Sequence, residues 1–322
     1  MTLPSSLVCC GLATLDVVQR VDRVPGPDEK VVARGLDVTF GGPAANAAAT
    51  AAALGVEAVL VTALGQGPVA RLVREALTGA GVRVVDLAGP GAGDPPVSTV
   101  LVTHGTGQRA VVSTNATLRA DDLGPGAAGA AAELLEGAGA VLVDGHHLAA
   151  GVAVAGAARR HGIPVLADGG SWKPGLERLL AVVDVAVLSA DFVVPGATAV
   201  RGAPGDRAAD PERAGGRPGP RAVDDLLDAV AALGPSFVAR SSGAGPVRVR
   251  LPSGAHDEVA PPLVEPGQVV DTLGAGDVLH GAVGAALARG TDAFAALREG
   301  IELATESVRH AGALGWVGHP AP

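Results

Sequence analysis

Near its C-terminal end the chain reads Asp271-Thr272-Leu273-Gly274-Ala275-Gly276-Asp277 and continues as a run of small apolar residues that ends at Gly290. The pattern predicts a glycine-rich turn that opens into a helix. Because Gly274 and Gly276 lack a Cβ atom, backbone N–H groups and the positive end of the helix can face an anion. A carboxylate at Asp277 could accept the proton of a hydroxyl that attacks phosphorus, or it could only cap the helix.

Upstream of this stretch, short β-branched segments alternate with alanine-rich segments of helical length. The alternation is typical of an α/β fold, and we predict a doubly wound, mainly parallel sheet with helices on both faces. The predicted strands are 7–11, 58–63, 82–87, 140–144, 164–167, 183–188 and 237–240. The predicted helices are 43–54, 68–78, 149–161 and 223–233. All of them belong to a single domain that spans residues 1–322.

Two regions interrupt that rhythm, and both predict antiparallel strands without intervening helices. They lie at about residues 15–40 and 96–115, and the second turns at His104-Gly105-Thr106-Gly107. We expect them to form a small β lid over the larger α/β body. A third segment, 201–221, is rich in Gly, Pro, Arg and Asp, and its composition predicts a flexible surface insertion.

Composition limits the classes of partner and location. The chain has 322 residues, of which 48% are apolar, enough for a large buried core. A net charge of −9 disfavours nucleic acid and anionic membrane surfaces as partners. The two cysteines, Cys9 and Cys10, are strand neighbours that point to opposite faces, so we predict two buried thiols. The sequence shows no secretory signal pattern and no membrane-spanning apolar run, which predicts a cytoplasmic protein.

A second glycine motif, Phe40-Gly41-Gly42-Pro43-Ala44-Ala45-Asn46-Ala47, precedes an alanine-rich helix. Together with the 271–277 segment, it resembles the two signatures of the ribokinase-like (PfkB) carbohydrate kinase family. The resemblance extends from Val8 to about Gly315 and includes the lid. It implies ATP-dependent phosphorylation of a hydroxyl, with Mg²⁺ bridging the phosphates, and it leaves room for a monovalent cation such as K⁺.

The resemblance also assigns roles to individual residues. Asp277 is expected to be the catalytic base, and Gly274, Ala275 and Gly276 are expected to line an anion hole. The residues expected to hold the sugar are Asp16, Gly41, Gly42 and Asn46. A site built to satisfy hydroxyls discriminates strongly against ligands that lack them. A homodimer joined through the lids is a further implication of the resemblance.

Two details resemble particular branches of the family. Leu64-Gly65-Gln66-Gly67-Pro68-Val69-Ala70 is similar to the ketohexokinase version of that segment. Lys30-Val31-Val32-Ala33-Arg34 is similar to the lid strand of sulfofructose kinases. Lys30 could meet a negative substituent of the substrate, or it could be solvated. We therefore expect a fructose-like ketose as acceptor, with anionic sugars (sulfofructose or a sugar phosphate) and nucleosides as alternatives.

The nucleotide side departs from the family pattern at two places. Leu188-Ser189-Ala190-Asp191 stands where many relatives have Asn-x-x-Glu, which supports Mg²⁺ and phosphate through water. Arg240-Ser241-Ser242-Gly243-Ala244-Gly245 stands where Thr-x-Gly-x-x-Gly is usual. Arg240 and Lys173 could bind phosphate or be solvated. The residues assigned to ATP are Lys173, Ser189, Arg240, Gly243, Gly245 and Thr272, and no residue is assigned to a metal.

Other interpretations rest on other residues. The segment 65–70, followed by Asp86, imitates a dinucleotide fingerprint and would indicate an NAD-dependent dehydrogenase, but it leaves the 271–277 segment unexplained. The GxGxxG spacing at 124–129 follows no predicted strand, and we interpret it as a loop. His146 and His147 follow a predicted strand and could touch substrate or only support the loop. A sugar- or nucleotide-binding protein without turnover is the remaining alternative.

Overall fold

The computed structural model describes residues 5–114, 122–195 and 219–319. The strands are β1 (Ser6–Cys10), β2 (Thr14–Val21), β3 (Gly35–Gly41), β4 (Glu57–Thr62), β5 (Val82–Asp86), β6 (Val97–Thr103), β7 (Arg109–Ser113), β8 (Ala138–Val143), β9 (Val165–Gly169), β10 (Val185–Leu188), β11 (Phe237–Ser242), β12 (Gly245–Arg250) and β13 (His256–Val259). Nine of them form one sheet in the order β13-β12-β11-β10-β9-β8-β1-β4-β5. This sheet is parallel from β5 to β11, and β12 and β13 are antiparallel at its edge.

Helices cover both faces of this sheet. They are α1 (Pro43–Ala53), α2 (Pro68–Gly79), α3 (Gly124–Leu134), α4 (Leu148–Arg160), α5 (Leu176–Leu180), α6 (Pro220–Ala231), α7 (Ala275–Ala288) and α8 (Ala293–Ser307). One apolar cluster joins α1, α2, α7 and α8 to one face, and a second joins α3 to α6 to the other. Cys9 packs in the first cluster and Cys10 in the second, and both thiols are free. The predicted doubly wound architecture is confirmed.

Some predicted details were wrong. The segment 124–129 was interpreted as a loop, but it begins helix α3, because Pro125 suits the first helical turn and Ala127 and Ala131 pack into the core. The hairpin of β12 and β13 was not predicted. Most of the predicted insertion, 201–218, lies outside the described residues, and the last residues of that tract belong to α6, which begins at Pro220.

The predicted lid is a separate four-stranded sheet in the order β3-β2-β6-β7. The pairs β2/β3 and β6/β7 are antiparallel as predicted, whereas β2 and β6 join the two segments in parallel. Val18, Val100 and Val102 form the inner face of the lid and pack against Leu273. Side chains alternate between the two faces along each strand, so the neighbouring positions point to the outer face of the lid. Four apolar side chains are exposed on that face: Leu36, Val38, Val97 and Val112.

Helices α1 and α7 pack closely because small residues line their contact. A Cβ atom on Gly281 would lie 2.6 Å from the carbonyl oxygen of Ala47 and 2.7 Å from Cβ of Thr50. Backbones can approach this closely only where a side chain is missing. The contact places the first turns of α1 and α7 side by side, and these turns carry the two glycine motifs. None of the helices in the described ranges is long and apolar enough to span a membrane.

Candidate active site

Asp277 lies in the first turn of α7, after a turn that only glycine adopts easily. Gly274 precedes the helix with a φ of 77°. The side chain of Asp277 is partly buried, and its Oδ2 accepts a hydrogen bond of 2.6 Å from Nδ2 of Asn46. Asn46 is buried in the first turn of α1. The structure therefore joins the predicted base to a predicted sugar-binding residue.

The electrostatic surroundings favour a proton on Asp277. Burial, and secondly the negative charge of Asp168, raise the pKa of Asp277 to about 7. The hydrogen bond from Asn46 and the charges of His280 and Arg109 oppose this rise. A carboxylate with a pKa near neutrality can accept a proton more readily than an ordinary surface aspartate. The site is therefore suited to general-base chemistry near neutral pH.

Asp16 forms a second carboxylate on the acceptor side, on strand β2 of the lid. Its Oδ1 accepts a hydrogen bond of 2.6 Å from Oγ1 of Thr14. Burial raises the pKa of Asp16, and hydrogen bonds from Thr14 and Ser98 oppose the rise. Gly41 lies against this side chain, since a Cβ atom there would be 2.0 Å from Oδ2 of Asp16. The first glycine of the motif is thus needed to accommodate Asp16.

The second glycine of the motif shapes the start of α1. Gly42 has a φ of 97°, and a Cβ atom on it would lie 2.4 Å from the carbonyl oxygen of Leu12. The turn is fastened by Asp144, which the sequence analysis did not single out. Its Oδ2 accepts hydrogen bonds from the backbone N–H of Leu12 (2.8 Å) and Ala44 (3.2 Å). The only sequence signal for this role was its place at the end of a strand.

A loop at the end of β8 extends this side of the site. The backbone N–H of His146 donates to Oδ1 of Asp144 over 2.8 Å. Burial lowers the pKa of His146, and the charge of Lys173 lowers it further, whereas Asp144 and Asp168 oppose the decrease. His146 therefore lies in a partly buried cluster of ionisable side chains with both acids and Lys173. His147 directly precedes α4 and has a φ of 50°.

The lid contacts the anion-hole segment through its hairpin. Oγ1 of Thr272 donates to the carbonyl oxygen of Gly107 over 3.1 Å. Arg109, another residue that the sequence analysis missed, donates from Nη1 to Oγ1 of Thr272 over 3.2 Å and to its carbonyl oxygen over 3.3 Å. Lys30, by contrast, is exposed in the connection between β2 and β3, and none of its described contacts links it to these residues.

Apart from Thr272, the residues assigned to ATP lie at or near the carboxyl ends of β9, β10 and β11. Oγ of Ser189 donates to the carbonyl oxygen of Gly170 over 2.8 Å, which ties the ends of β9 and β10 together. Gly243 lies in the tight connection from β11 to β12, where it has a φ of 58°, and Gly245 begins β12. Lys173 follows β9 and its ammonium group approaches Gly145. Ligands of open α/β sheets bind at this edge.

Arg240 is the least satisfied cation of that edge. It is 5% exposed, and its guanidinium donates to the carbonyl oxygen of Ala190. Its Nε has no hydrogen-bond partner among the described residues. Burial lowers the pKa of Arg240, although the charge of Asp191 opposes this. A buried and incompletely paired guanidinium is well suited to receive an oxyanion such as a phosphate group.

The geometry of the segment 65–70 argues against a dinucleotide-binding site. Asp86 accepts hydrogen bonds from the backbone N–H groups of Leu64 (2.9 Å) and Gly65 (3.0 Å). It also pairs with Arg74 over 2.6 Å. The carboxylate that would bind a ribose in a dinucleotide site is therefore engaged by the loop and by Arg74, which disfavours the dehydrogenase alternative.

The residues described do not include a group of three or more His, Cys, Asp or Glu side chains arranged to hold a metal ion. A divalent cation at this site would take its ligands mainly from nucleotide phosphates and water, which Mg²⁺ prefers to an all-protein cage. The glycine turn before α7, which presents backbone N–H groups at a helix N-terminus, fits a polyphosphate.

Comparison with known proteins identifies the family and agrees with the fold. The model of the pfkB family of carbohydrate kinases matches residues 4–316. The fold is similar to that of an assigned ribokinase from Agrobacterium tumefaciens, with 24% identity, a TM-score of 0.78, and coverage of 99% of this chain and 95% of that chain. Arabidopsis thaliana ribokinase complexed with ribose and ATP has 23% identity, a TM-score of 0.69, and coverage of 97% and 95%. Anopheles gambiae adenosine kinase in complex with P1,P4-di(adenosine-5) tetraphosphate has 19% identity, a TM-score of 0.73, and coverage of 99% and 100%. Because the family model spans almost the whole chain, the protein belongs to the pfkB family of carbohydrate kinases.

Proposed function

We propose that the protein transfers the γ-phosphoryl group of ATP to a hydroxyl of a fructose-like ketose, with Asp277 as the general base. The observation that carries this proposal is the partly buried Asp277, with a pKa of about 7, in the first turn of α7. A base is most effective when its pKa lies near the working pH. The glycine turn beside it supplies free N–H groups for negative charge.

The proposed reaction is a direct transfer. Asp16 and Asn46 hold the sugar, and Gly41 and Gly42 let it lie against the backbone. Asp277 accepts the proton of the attacking hydroxyl as its oxygen bonds to the γ-phosphorus and the bond from phosphorus to the bridging oxygen of ADP breaks. The N–H groups of the 274–276 turn stabilise the charge on the transferred group. Closure of the lid excludes water and suppresses ATP hydrolysis.

ATP is proposed to lie along the ends of β9 to β11. Lys173, Ser189 and Arg240 face its phosphates, Thr272 lies beside the transferred group, and the turn at Gly243 and Gly245 supports the nucleoside. Mg²⁺ on the phosphates supplies charge neutralisation during transfer. A monovalent cation such as K⁺ is a further proposed activator, and the assay below includes it. The nucleotide assignment is supported by the place of Arg240 near the carboxyl end of β11, paired with Leu188 directly before Ser189.

The acceptor could instead be an anionic sugar such as sulfofructose or a sugar phosphate. This second candidate is supported by Arg109, which reaches from the lid to Thr272. Lys30, the residue first considered for this role, is exposed and lends less support. A nucleoside acceptor is tested beside these sugars. The similarity to ketohexokinases and sulfofructose kinases is part of this proposal.

We further propose a homodimer joined through the lids. The apolar outer face of the lid, with Val112 75% and Val38 54% exposed, supports this proposal. Sheet faces of this kind are usually covered in solution.

A cytoplasmic location also stays a prediction.

The test is ADP release with Mg·ATP and K⁺ across ketoses, aldoses, sulfofructose, sugar phosphates and nucleosides. The wild-type protein should turn over one class of acceptor, and Asp277→Asn should lose about 10²- to 10⁴-fold in kcat while it still binds ATP. Calorimetric titration with ATP controls for folding of the variant. If no acceptor of the panel gave ADP release while sugar or ATP still bound, the proposed kinase would be rejected in favour of a non-catalytic binding protein.

A further inference from the structure

One turn after Asp277, helix α7 carries His280, whose imidazole is only 5% exposed. Its Nδ1 lies 2.6 Å from the carbonyl oxygen of Gly276, and its Nε2 lies 2.9 Å from the carbonyl oxygen of Val187 on β10. The ring therefore bridges the start of α7 and the central sheet. No step of the proposed reaction uses this side chain.

The two contacts of His280 define the charge state that suits it. A backbone carbonyl only accepts hydrogen bonds, whereas a neutral imidazole donates from one nitrogen alone. A neutral His280 would direct a lone pair at one of the two carbonyl oxygens. The imidazolium form donates to both carbonyl oxygens. In a buried site this is favourable, because a polar group without a hydrogen-bond partner is destabilising there.

A carboxylate stands beside this ring. Oδ2 of Asp168 lies 3.4 Å from Nδ1 of His280, and both side chains are buried. Asp168 is the register partner of Val187 in the pair of β9 and β10, so His280 sits over both strands. Burial raises the pKa of Asp168, and the charge of His280 opposes this rise. A buried carboxylate is tolerated when such a cation pairs with it.

We propose that Asp168 and His280 form a buried ion pair that positions Asp277 and sets the pH range in which it works as the base. This inference rests on the proposed function for Asp277. His280 holds the Gly276 carbonyl, and so fixes the turn immediately before Asp277. Asp168 and His280 act on Asp277 with opposite signs, the first disfavouring and the second favouring its ionised form.

Other charged groups face the same pair. Asp144 and His146 approach Asp168 from the end of β8, Lys173 approaches it from the loop after β9, and Arg109 approaches Asp277 from the lid. None of these groups belongs to α7. The ion pair differs from these groups because its two members have opposite effects on the ionisation of Asp277. Single substitutions of Asp168 and of His280 can measure each effect separately.

The kinetic test measures kcat/KM against pH for His280→Gln and Asp168→Asn. His280→Gln removes a positive charge, so the rise in activity should move to higher pH by about one unit. Asp168→Asn removes a negative charge, so the rise should move to lower pH by a similar amount. His161→Gln, at an exposed position after α4, is the matched control and should leave the profile in place. Profiles that stay fixed, or that move in the same direction for both variants, would overturn the proposal.

A second readout does not depend on turnover or on the folding of a variant. Nitrogen-15 NMR of labelled histidine resolves neutral and charged rings, and the chain has 8 histidines. In the wild-type protein at about pH 7, the ring that is assigned to His280 through its coupling to the backbone should carry hydrogens on both nitrogens. A neutral spectrum for this ring would overturn the ion pair. A charged ring in a protein without kinase turnover would uphold the ion pair while the proposed function fails.

Discussion

Nδ2 of Asn46 donates a 2.6 Å hydrogen bond to Oδ2 of Asp277 and so connects the first turns of two helices that are far apart in sequence. One of these turns follows Gly41 and Gly42, which we propose bind the sugar, and the other begins at the proposed anion hole. In the proposed reaction the acceptor and the base therefore share a residue. A change at Asn46 should therefore alter both acceptor binding and proton transfer.

Asn46→Ala should raise KM for the acceptor about 10-fold or more, because a buried donor to hydroxyls is lost. The same change removes a hydrogen bond that lowers the pKa of Asp277, so that pKa should rise above its value of about 7. The rise of kcat/KM should accordingly move to higher pH. Thr50→Val, one turn further along α1 and fully buried, is the control and should leave the profile unchanged. An unmoved profile in Asn46→Ala would contradict the shared role.

Asp277 should weaken the fold where it is ionised. Its pKa is raised from 3.8 in the unfolded chain to about 7 in the folded protein, so stability is lost as pH rises through this window. The upper bound on the loss is about 4 kcal/mol, and partial exposure of the side chain should reduce it to roughly 1–3 kcal/mol. Asp277→Asn removes the loss and should raise Tm by roughly 2–5 °C at about pH 9.

Calorimetric melting of both proteins across pH checks this prediction. The difference in Tm should be negligible near pH 4, grow towards about pH 7, and level off above it. A variant that is less stable than the wild type at high pH would show that the ionised carboxylate is stabilised rather than strained.

Arg240 should serve ATP more than it serves the fold. Arg240→Thr removes phosphate contacts and should raise KM for ATP about 10- to 100-fold, because a hydrogen bond to a charged group is lost. Stability should change little, since the substitution also removes an incompletely paired buried charge. Arg248 stands opposite in the β11/β12 ladder and pairs with Asp224 over 2.7 Å. Arg248→Thr should therefore lower Tm and leave KM for ATP unchanged, and the reverse outcome would remove Arg240 from the nucleotide site.

The outer face of the lid should hold two copies of the chain together. Val38→Asp combined with Val112→Asp places charges on exposed apolar positions of β3 and β7 and should yield monomers. Light scattering after size-exclusion chromatography reports the mass directly. Leu72→Asp, at an equally apolar position of α2 that is 53% exposed, is the control and should leave the dimer intact. A monomeric wild-type protein would refute the proposed dimer.

The sequence supported the prediction of the parallel body, the lid and the glycine turn because each depends on a local pattern. Gly274 and Gly42 adopt left-handed conformations that a short motif specifies by itself. Asn46 and Asp277 belong to the same motifs, and their roles were therefore assigned before the distance between them was known. Helix α3 was missed because its alanine and glycine residues give almost no periodic signal.

The remaining parts of the site depend on distant segments that meet only in the folded chain. Arg109 reaches Thr272 across 163 residues, and Asp144 fastens Leu12 across 132 residues. His280 was visible in the helix after the glycine turn, but nothing local indicated that Asp168 would stand beside it. Single side chains of this kind carry no spacing pattern, so their partners follow from topology alone.

The missing side chain of Gly281 controls more than the packing of two helices. α1 carries Asn46 and α7 carries Asp277, so in the proposed reaction the closeness of α7 to Ala47 sets the distance between the attacking oxygen and Asp277. A methyl group at position 281 would push α1 and α7 apart, and so move Asn46 away from Asp277, without touching the substrate. In the proposed reaction, the distance between the attacking oxygen and Asp277 therefore depends on the absence of a Cβ atom at Gly281, one helical turn after Asp277.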